Sequence, residues 1–202
     1  MASGEGRGPL SLPPPTRTAT VDGRLVVVYD GLMTAVELAG LARALSASTF
    51  HRTEFARADT PDYRHWVTEL DLEVTRRLPF CRLTEELAAH HFGAGRAVTR
   101  TYCNAAYYGD MLLTHDDCGP EDGDVTALWY ACEEWNVEWG GETIFYDRTQ
   151  DAAIAVTPRP GRLCLFDGAI VHVGRPPNRV CFRPRHTVAL KLTRSRGQDG
   201  QR

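Results

Sequence analysis

From Ala97 to Leu192 the chain is a succession of short apolar–polar alternating runs broken by Gly, Pro and Asp, and this constrains the fold more than any other feature. Successive side chains of a strand point to opposite faces, so such alternation describes strands with one face buried. The runs predict strands at about 98–104, 110–116, 124–132, 142–146, 153–157, 162–167, 169–173 and 186–192. Ahead of them, Leu25 to Tyr29 reads as a first strand. Thr34-Ala-Val-Glu37 reads as a capping box opening an amphipathic helix to about Leu45. Phe50 to Thr60 is expected to be irregular or strand-like, Tyr63 to Leu78 mixed, and Thr84 the cap of a short helix through His91. Helices first and many short strands later describe a mainly β fold with flanking helices, a double-stranded β-helix or jelly roll.

At 202 residues the chain is expected to form one domain over residues 21–195, between disordered segments at 1–20 (Gly/Pro/Ser-rich) and 196–202. The net charge of −3 and the scattered arginines give no electrostatic case for nucleic acid. No apolar run approaches the ~20 residues of a membrane helix, and the start lacks an apolar export segment, so a cytoplasmic protein is expected. The six cysteines, Cys81 to Cys181, form no CxxC pair and read as reduced thiols, mostly buried.

His115-Asp116-Asp117 lies among the expected strands, and His172 follows 55 positions after Asp117. Residues i and i+2 of a strand share a face, so His115 and Asp117 aim at one point, whereas Asp116, the competing carboxylate, faces the other way. Two imidazoles and one carboxylate on one face of a metal leave three adjacent positions open, a geometry suited to non-haem Fe(II) with O2 and a co-substrate. His90-His91 is a poorer candidate, because adjacent residues do not share a helix face. The Asp-rich stretch Asp116 to Asp124 lacks the ligand pattern of a calcium loop.

An acidic co-substrate needs a cationic anchor. Lys191 is the only lysine in the chain, so an arginine is expected in that role. Arg185, Thr187 and Ala189 share a face of the last strand; a guanidinium fork can hold a carboxylate through two hydrogen bonds, and the hydroxyl two residues on adds a third. Arg175, Arg179 and Arg183 precede it as alternatives.

Three segments carry a resemblance. Tyr102 to Tyr108, Gly109 and His115-Asp-Asp117 come first, then Ala127-Leu-Trp129-Tyr130 with Trp139-Gly140-Gly141-Glu142-Thr143, then Pro160-Gly161-Arg162-Leu-Cys-Leu-Phe166 with His172. In order and spacing they resemble the prolyl-4-hydroxylase-like branch of the Fe(II)- and 2-oxoglutarate-dependent dioxygenases, over roughly Arg100 to Leu192. The resemblance implies His115, Asp117 and His172 as iron ligands, Arg185 on the distal carboxylate of 2-oxoglutarate, Thr187 assisting, and Tyr130 bonding the same carboxylate. Two departures stand out: Arg185 lies thirteen positions after His172, so the loop Arg175 to Pro184 is enlarged, and Cys132 stands where relatives often carry Asn.

The implied cofactors are Fe(II), 2-oxoglutarate as co-substrate and O2, with ascorbate supporting activity. The implied reaction couples oxidative decarboxylation of 2-oxoglutarate to oxidation of a substrate C–H bond. Asp117 in place of Gly or Ala argues against a halogenase. The expected substrate is a small molecule, a specialised metabolite or amino-acid derivative, with neither nucleic acid nor membrane as partner. A protein prolyl-type hydroxylase, a catalytically silent metal-binding sensor of the same fold and a zinc hydrolase are the alternatives. The substrate pocket is expected between the Phe50–Thr60 region, the Cys118–Asp124 loop and the Arg175–Arg183 loop.

Overall fold

The structure, a computed structural model, describes residues 12–194; the expectations for 1–11 and 195–202 lie outside that range. In chain order the elements are β1 (Arg17–Val21), β2 (Arg24–Tyr29), α1 (Ala35–Ser46), β3 (His51–Glu54), β4 (His65–Glu69), α2 (Leu72–Arg77), α3 (Pro79–Phe92) and β5 (Arg96–Ala106). Then follow β6 (Val125–Tyr130), β7 (Thr143–Tyr146), β8 (Ala152–Val156), β9 (Leu163–Asp167), β10 (His172–Gly174) and β11 (Arg185–Arg194). Strands β1-β2-β9-β6-β11-β5-β4-β3 form an eight-stranded sheet, and β10-β7-β8 a three-stranded one. Every strand pairing is antiparallel. This is the double-stranded β-helix that the strand pattern implies.

Alternation sorts the large sheet into two faces. Val27 and Tyr29 of β2, Trp129 of β6, Leu163 and Leu165 of β9 and Val188, Leu190 and Leu192 of β11 pack with Leu45 of α1 and Cys81, Leu87 and Ala88 of α3. The intervening residues Val26, Val28, Tyr130, Cys164 and Phe166 pack against Phe145, Ile154 and Val156 of the small sheet. Burying a side chain such as Trp129 or Leu165 contributes on the order of 1.5–3 kcal/mol, so both faces drive closure of the fold. On β11 the inward face is polar: Arg185, Thr187 and Lys191 alternate with the helix-facing Val188, Leu190 and Leu192.

The capping box of α1 forms: the Thr34 hydroxyl accepts from the Glu37 amide at 3.2 Å and the Glu37 carboxylate accepts from the Thr34 amide at 2.8 Å. Other expectations differ. The segment read as disordered through residue 20 is β-strand from Arg17, because Arg17 to Val21 pair with Val28 to Arg24. Helix α3 starts at Pro79, not at Thr84; proline suits the first helical turn, where its missing N–H is no loss. Thr84 is a buried interior residue whose hydroxyl donates to the Phe80 carbonyl at 2.7 Å and accepts from the Trp129 indole at 3.0 Å. Trp129 is thereby a core residue. Residues 110–116 form no strand; His115 makes only an isolated bridge to His172.

Candidate active site

His115 and His172 are brought together by backbone. Each donates its amide to the other's carbonyl, at 3.0 Å from His115 and 2.8 Å from His172. Asp117 then donates its amide to the Gly168 carbonyl at 2.7 Å, so the His-x-Asp segment is pinned at both ends to the chain around β10.

The ring orientations follow from second contacts. Nδ1 of His115 lies 3.1 Å from the Leu113 carbonyl, and Nδ1 of His172 lies 2.9 Å from the Ile170 carbonyl. A carbonyl only accepts, so Nδ1 carries the proton and each Nε2 presents a lone pair. These Nε2 atoms face Asp117, at 3.6 Å from Oδ1 for His115 and 3.7 Å from Oδ2 for His172. One ligand atom from each of the three residues lies within 4.8 Å of the others. Asp116 is exposed and stands outside this group.

Burial pushes the Asp117 carboxyl up, but the adjacent Lys191 ammonium and the two histidines outweigh it and hold the group well below the usual carboxylate range. Burial lowers His172 to about 4, partly offset by Asp117. The triad therefore offers a carboxylate and a neutral imidazole at neutral pH, the protonation states that metal binding requires. Two imidazoles and one carboxylate with free lone pairs fit a divalent first-row metal.

Arg185 lies on the same inward face, 4% exposed. Its Nε donates to the Gly141 carbonyl at 2.5 Å, one terminal nitrogen to Thr143 Oγ1 at 2.8 Å, and the other lies 3.5 Å from Thr187 Oγ1. No carboxylate among the described residues pairs with it, and a buried guanidinium without an anion calls for one. A narrow chamber of about 60 Å³ runs from Arg185 and Thr187 to His115 and His172, walled by Leu112, Leu113, Ala105 and Leu128. Its two ends match an acid that binds a cation at one end and a metal at the other.

Tyr130 sits differently from expectation. Its hydroxyl is bonded to Thr143 Oγ1 at 2.7 Å and the Val156 carbonyl at 3.2 Å, and its ring lies under the Arg185 guanidinium at 5.2 Å. Burial raises its hydroxyl to about 12. Tyr130 is absent from the chamber wall; it supports Arg185 and Thr143 from behind. The loop arginines stand outside as well. Arg183 pairs with Glu134 at 2.7 Å on the surface, Arg175 donates to the Tyr146 hydroxyl at 3.0 Å, and Arg179 is exposed.

Beside the triad the chamber meets a wider cleft of about 340 Å³, lined by Glu54, Phe55, Ala56, Arg100, Asp116 and Asp124 among others. The first two segments expected to bound a substrate pocket contribute to it; the Arg175–Arg183 loop does not. His65, Tyr102, Thr126 and Lys191 line both spaces. The sequence reading gives none of the four a role at the site, although Tyr102 opens the resemblance and Lys191 is noted as the sole lysine. For Lys191 a signal existed, since it continues the Arg185–Thr187–Ala189 face; for His65 there was none, because β3 and β4 had no clear pattern.

Residues 103–190 match the profile of the 2OG-Fe(II) oxygenase superfamily. No curated protein matches the chain. Solved structures with the same fold include a Trichoplax adhaerens prolyl hydroxylase in complex with a hypoxia inducible factor peptide, at 16% identity and TM-score 0.62 over 84% of this chain and 83% of that one. SnoK, a non-haem α-ketoglutarate-dependent carbocyclase from nogalamycin biosynthesis, is 17% identical with TM-score 0.59 over 87% of this chain and 84% of that one. EctD from S. alaskensis with bound Fe is 13% identical with TM-score 0.59 over 84% and 72% of the two chains. Residues 103–190 thus carry the profile of the 2OG-Fe(II) oxygenase superfamily, and the converging His-Asp-His group lies within that matched stretch.

Proposed function

We propose that His115, Asp117 and His172 hold Fe(II), that Arg185 with Thr187 receives the distal carboxylate of 2-oxoglutarate, and that the enzyme oxidises a C–H bond of a small molecule, a specialised metabolite or amino-acid derivative. The single observation that carries the site assignment is the chamber with a buried guanidinium, unpaired with any carboxylate among the described residues, at one end and converging imidazoles at the other. When bound, the iron supplies activation of O2 at the expense of 2-oxoglutarate, which leaves as succinate and CO2.

The protein's own part is positioning. Arg185 offers a fork held by Gly141 and Thr143, so the co-substrate meets a pre-set partner and little ordering is lost on binding. Leu112, Leu113, Ala105 and Leu128 supply the apolar part of the wall between the two ends. Substrate approaches through the wider cleft, whose roughly 340 Å³ suits a metabolite-sized molecule.

The test has two parts. Protein loaded with Fe(II), ascorbate and 2-oxoglutarate is assayed for 2-oxoglutarate binding and succinate release; absence of both overturns the site assignment. Metabolites of a strain lacking the gene are compared with its parent. Accumulation of a compound that the purified enzyme oxidises supports the small-molecule reading. An oxidised protein side chain missing from the deletion strain, with metabolites unchanged, favours a peptide hydroxylase.

A further inference from the structure

Lys191 stands beside the triad without a part in the reaction described above. Its Nζ lies 2.5 Å from Asp117 Oδ2 and 3.2 Å from Thr126 Oγ1, and the Thr126 hydroxyl donates to the same Oδ2 at 2.5 Å. Oδ2 thus takes two donors. Oδ1 takes no hydrogen bond from the described residues and faces His115 Nε2 at 3.6 Å, whereas Oδ2, which faces His172 Nε2 at 3.7 Å, carries both donors. Strand register produces this triangle, because Lys191 of β11 pairs directly with Thr126 of β6. The lysine stem passes the Tyr102 ring, with Nζ 6.0 Å from its centre, and Asp117 is the one carboxylate among the described residues that pairs with it.

The asymmetry matters because a carboxylate can bind a metal through one oxygen or both. Binding through both would take up a position that a two-His, one-carboxylate centre otherwise leaves to its co-substrate. A charge-assisted hydrogen bond is roughly twice as strong as a neutral one, and the ammonium shares its oxygen with a hydroxyl that cannot be pulled away without breaking a second bond. We propose that Lys191, together with Thr126, is a positioning residue that holds Asp117 Oδ2 and restricts Asp117 to binding the metal through Oδ1, keeping the remaining positions free for 2-oxoglutarate. This rests on the reading of the triad as the metal site.

Co(II) is the probe, because its visible absorption reports the ligand set without turnover. Wild type, Lys191→Met, Lys191→Arg and Thr126→Val are loaded with Co(II), their spectra recorded, and 2-oxoglutarate titrated by calorimetry. Methionine keeps most of the stem volume and removes the charge. Lys191→Met is expected to change the Co(II) spectrum, to lower Co(II) affinity about 10- to 100-fold, the range for loss of an outer partner of a ligand, and to weaken 2-oxoglutarate binding. Lys191→Arg is expected to restore all three, and Thr126→Val to move them the same way by less. An unchanged Co(II) spectrum in Lys191→Met overturns the proposal even if 2-oxoglutarate binds more weakly, since the ammonium would then act only as bulk charge. If circular dichroism shows that Lys191→Met does not fold, Thr126→Val decides, and an unchanged spectrum there overturns it. A wild type that takes up no Co(II) overturns the triad assignment and this inference with it. Wild type that binds Co(II) and 2-oxoglutarate alongside insensitive variants overturns this inference alone.

Discussion

His115 and His172 face each other across a single antiparallel bridge, each amide on the other's carbonyl, with their ring centres 4.5 Å apart. The bridge is a sheet contact one residue pair long, so the placement of both imidazoles depends on the backbone that flanks it. Gly168 anchors Asp117 on one side and Gly174 of β10 pairs with Thr143 on the other.

Removing a ligand should abolish metal uptake. His172→Ala and Asp117→Ala are expected to lower divalent-metal affinity by more than the ~100-fold seen for outer-sphere changes. Asp116→Ala, exposed and outside the converging group, should stay within about threefold of wild type. Metal content after equilibrium dialysis checks this; equal losses for Asp116→Ala and Asp117→Ala would mean the wrong carboxylate has been assigned.

Arg185→Ala should weaken 2-oxoglutarate binding by about 2–5 kcal/mol, because a carboxylate is left desolvated without its charge partner. Arg183→Ala should change it by less than about 0.5 kcal/mol, since Arg183 is spent on a surface pair with Glu134. Titration of the metal-loaded protein distinguishes them, and the reverse ranking would refute the choice of Arg185.

Gly141→Ala tests the support of that arginine. Gly141 has φ +81°, and a Cβ there would sit 2.9 Å from Trp135 Cζ2 and 3.1 Å from Arg185 Cδ. The left-handed backbone alone costs about 1–2 kcal/mol with a side chain. The variant should melt earlier and bind 2-oxoglutarate less tightly, as measured by thermal unfolding and calorimetry; wild-type affinity would show that Arg185 tolerates displacement.

Acid should weaken the clasp between Asp30 and Arg162. Arg162, 8% exposed, donates to both Asp30 oxygens at 2.7 Å and to the Thr157 carbonyl at 2.8 Å, tying the end of β2 to the start of β9. Hydrogen bonding from Arg162 outweighs desolvation and lowers the Asp30 carboxyl. A depressed carboxylate contributes stability in full above its unfolded value of about 3.9 and loses it as pH falls through the lower folded value. Asp30→Asn should therefore cost about 1–2 kcal/mol at pH 7, with the difference from wild type shrinking below about pH 4. Urea unfolding at both pH values measures it, and a difference that persists undiminished in acid would assign the effect to something other than charge.

Much of the architecture was legible along the chain because side-chain direction is a local property. Alternation in β9 assigned Leu163 and Leu165 to one face and Cys164 and Phe166 to the other, and the fold keeps that division. The same parity aimed His115 and Asp117 at one point, and their side chains do converge although residues 110–116 form no strand and Asp117 lies in a bend. Where local signals misled, the neighbourhood was the reason. Thr84 resembles a helix cap in sequence but spends its hydroxyl inside α3 and on Trp129, and a Pro/Gly/Ser-rich beginning masked a strand that β2 stabilises by pairing.

By itself, then, the sequence determined which residues share a face: Arg185, Thr187 and Lys191 on β11, Thr126 and Tyr130 on β6. Only the tertiary structure decided which of them meet. Register aligned Lys191 with Thr126, and the turn after β9 brought Gly168 to Asp117, so the chain's only lysine came to rest on a triad carboxylate. Tyr130 was turned away from the chamber because Thr143 and Val156, on β7 and β8, offered its hydroxyl partners that no local pattern reveals. Facing follows from the two-residue period of an extended chain, whereas register follows from turns and from hydrogen bonds between segments far apart in sequence.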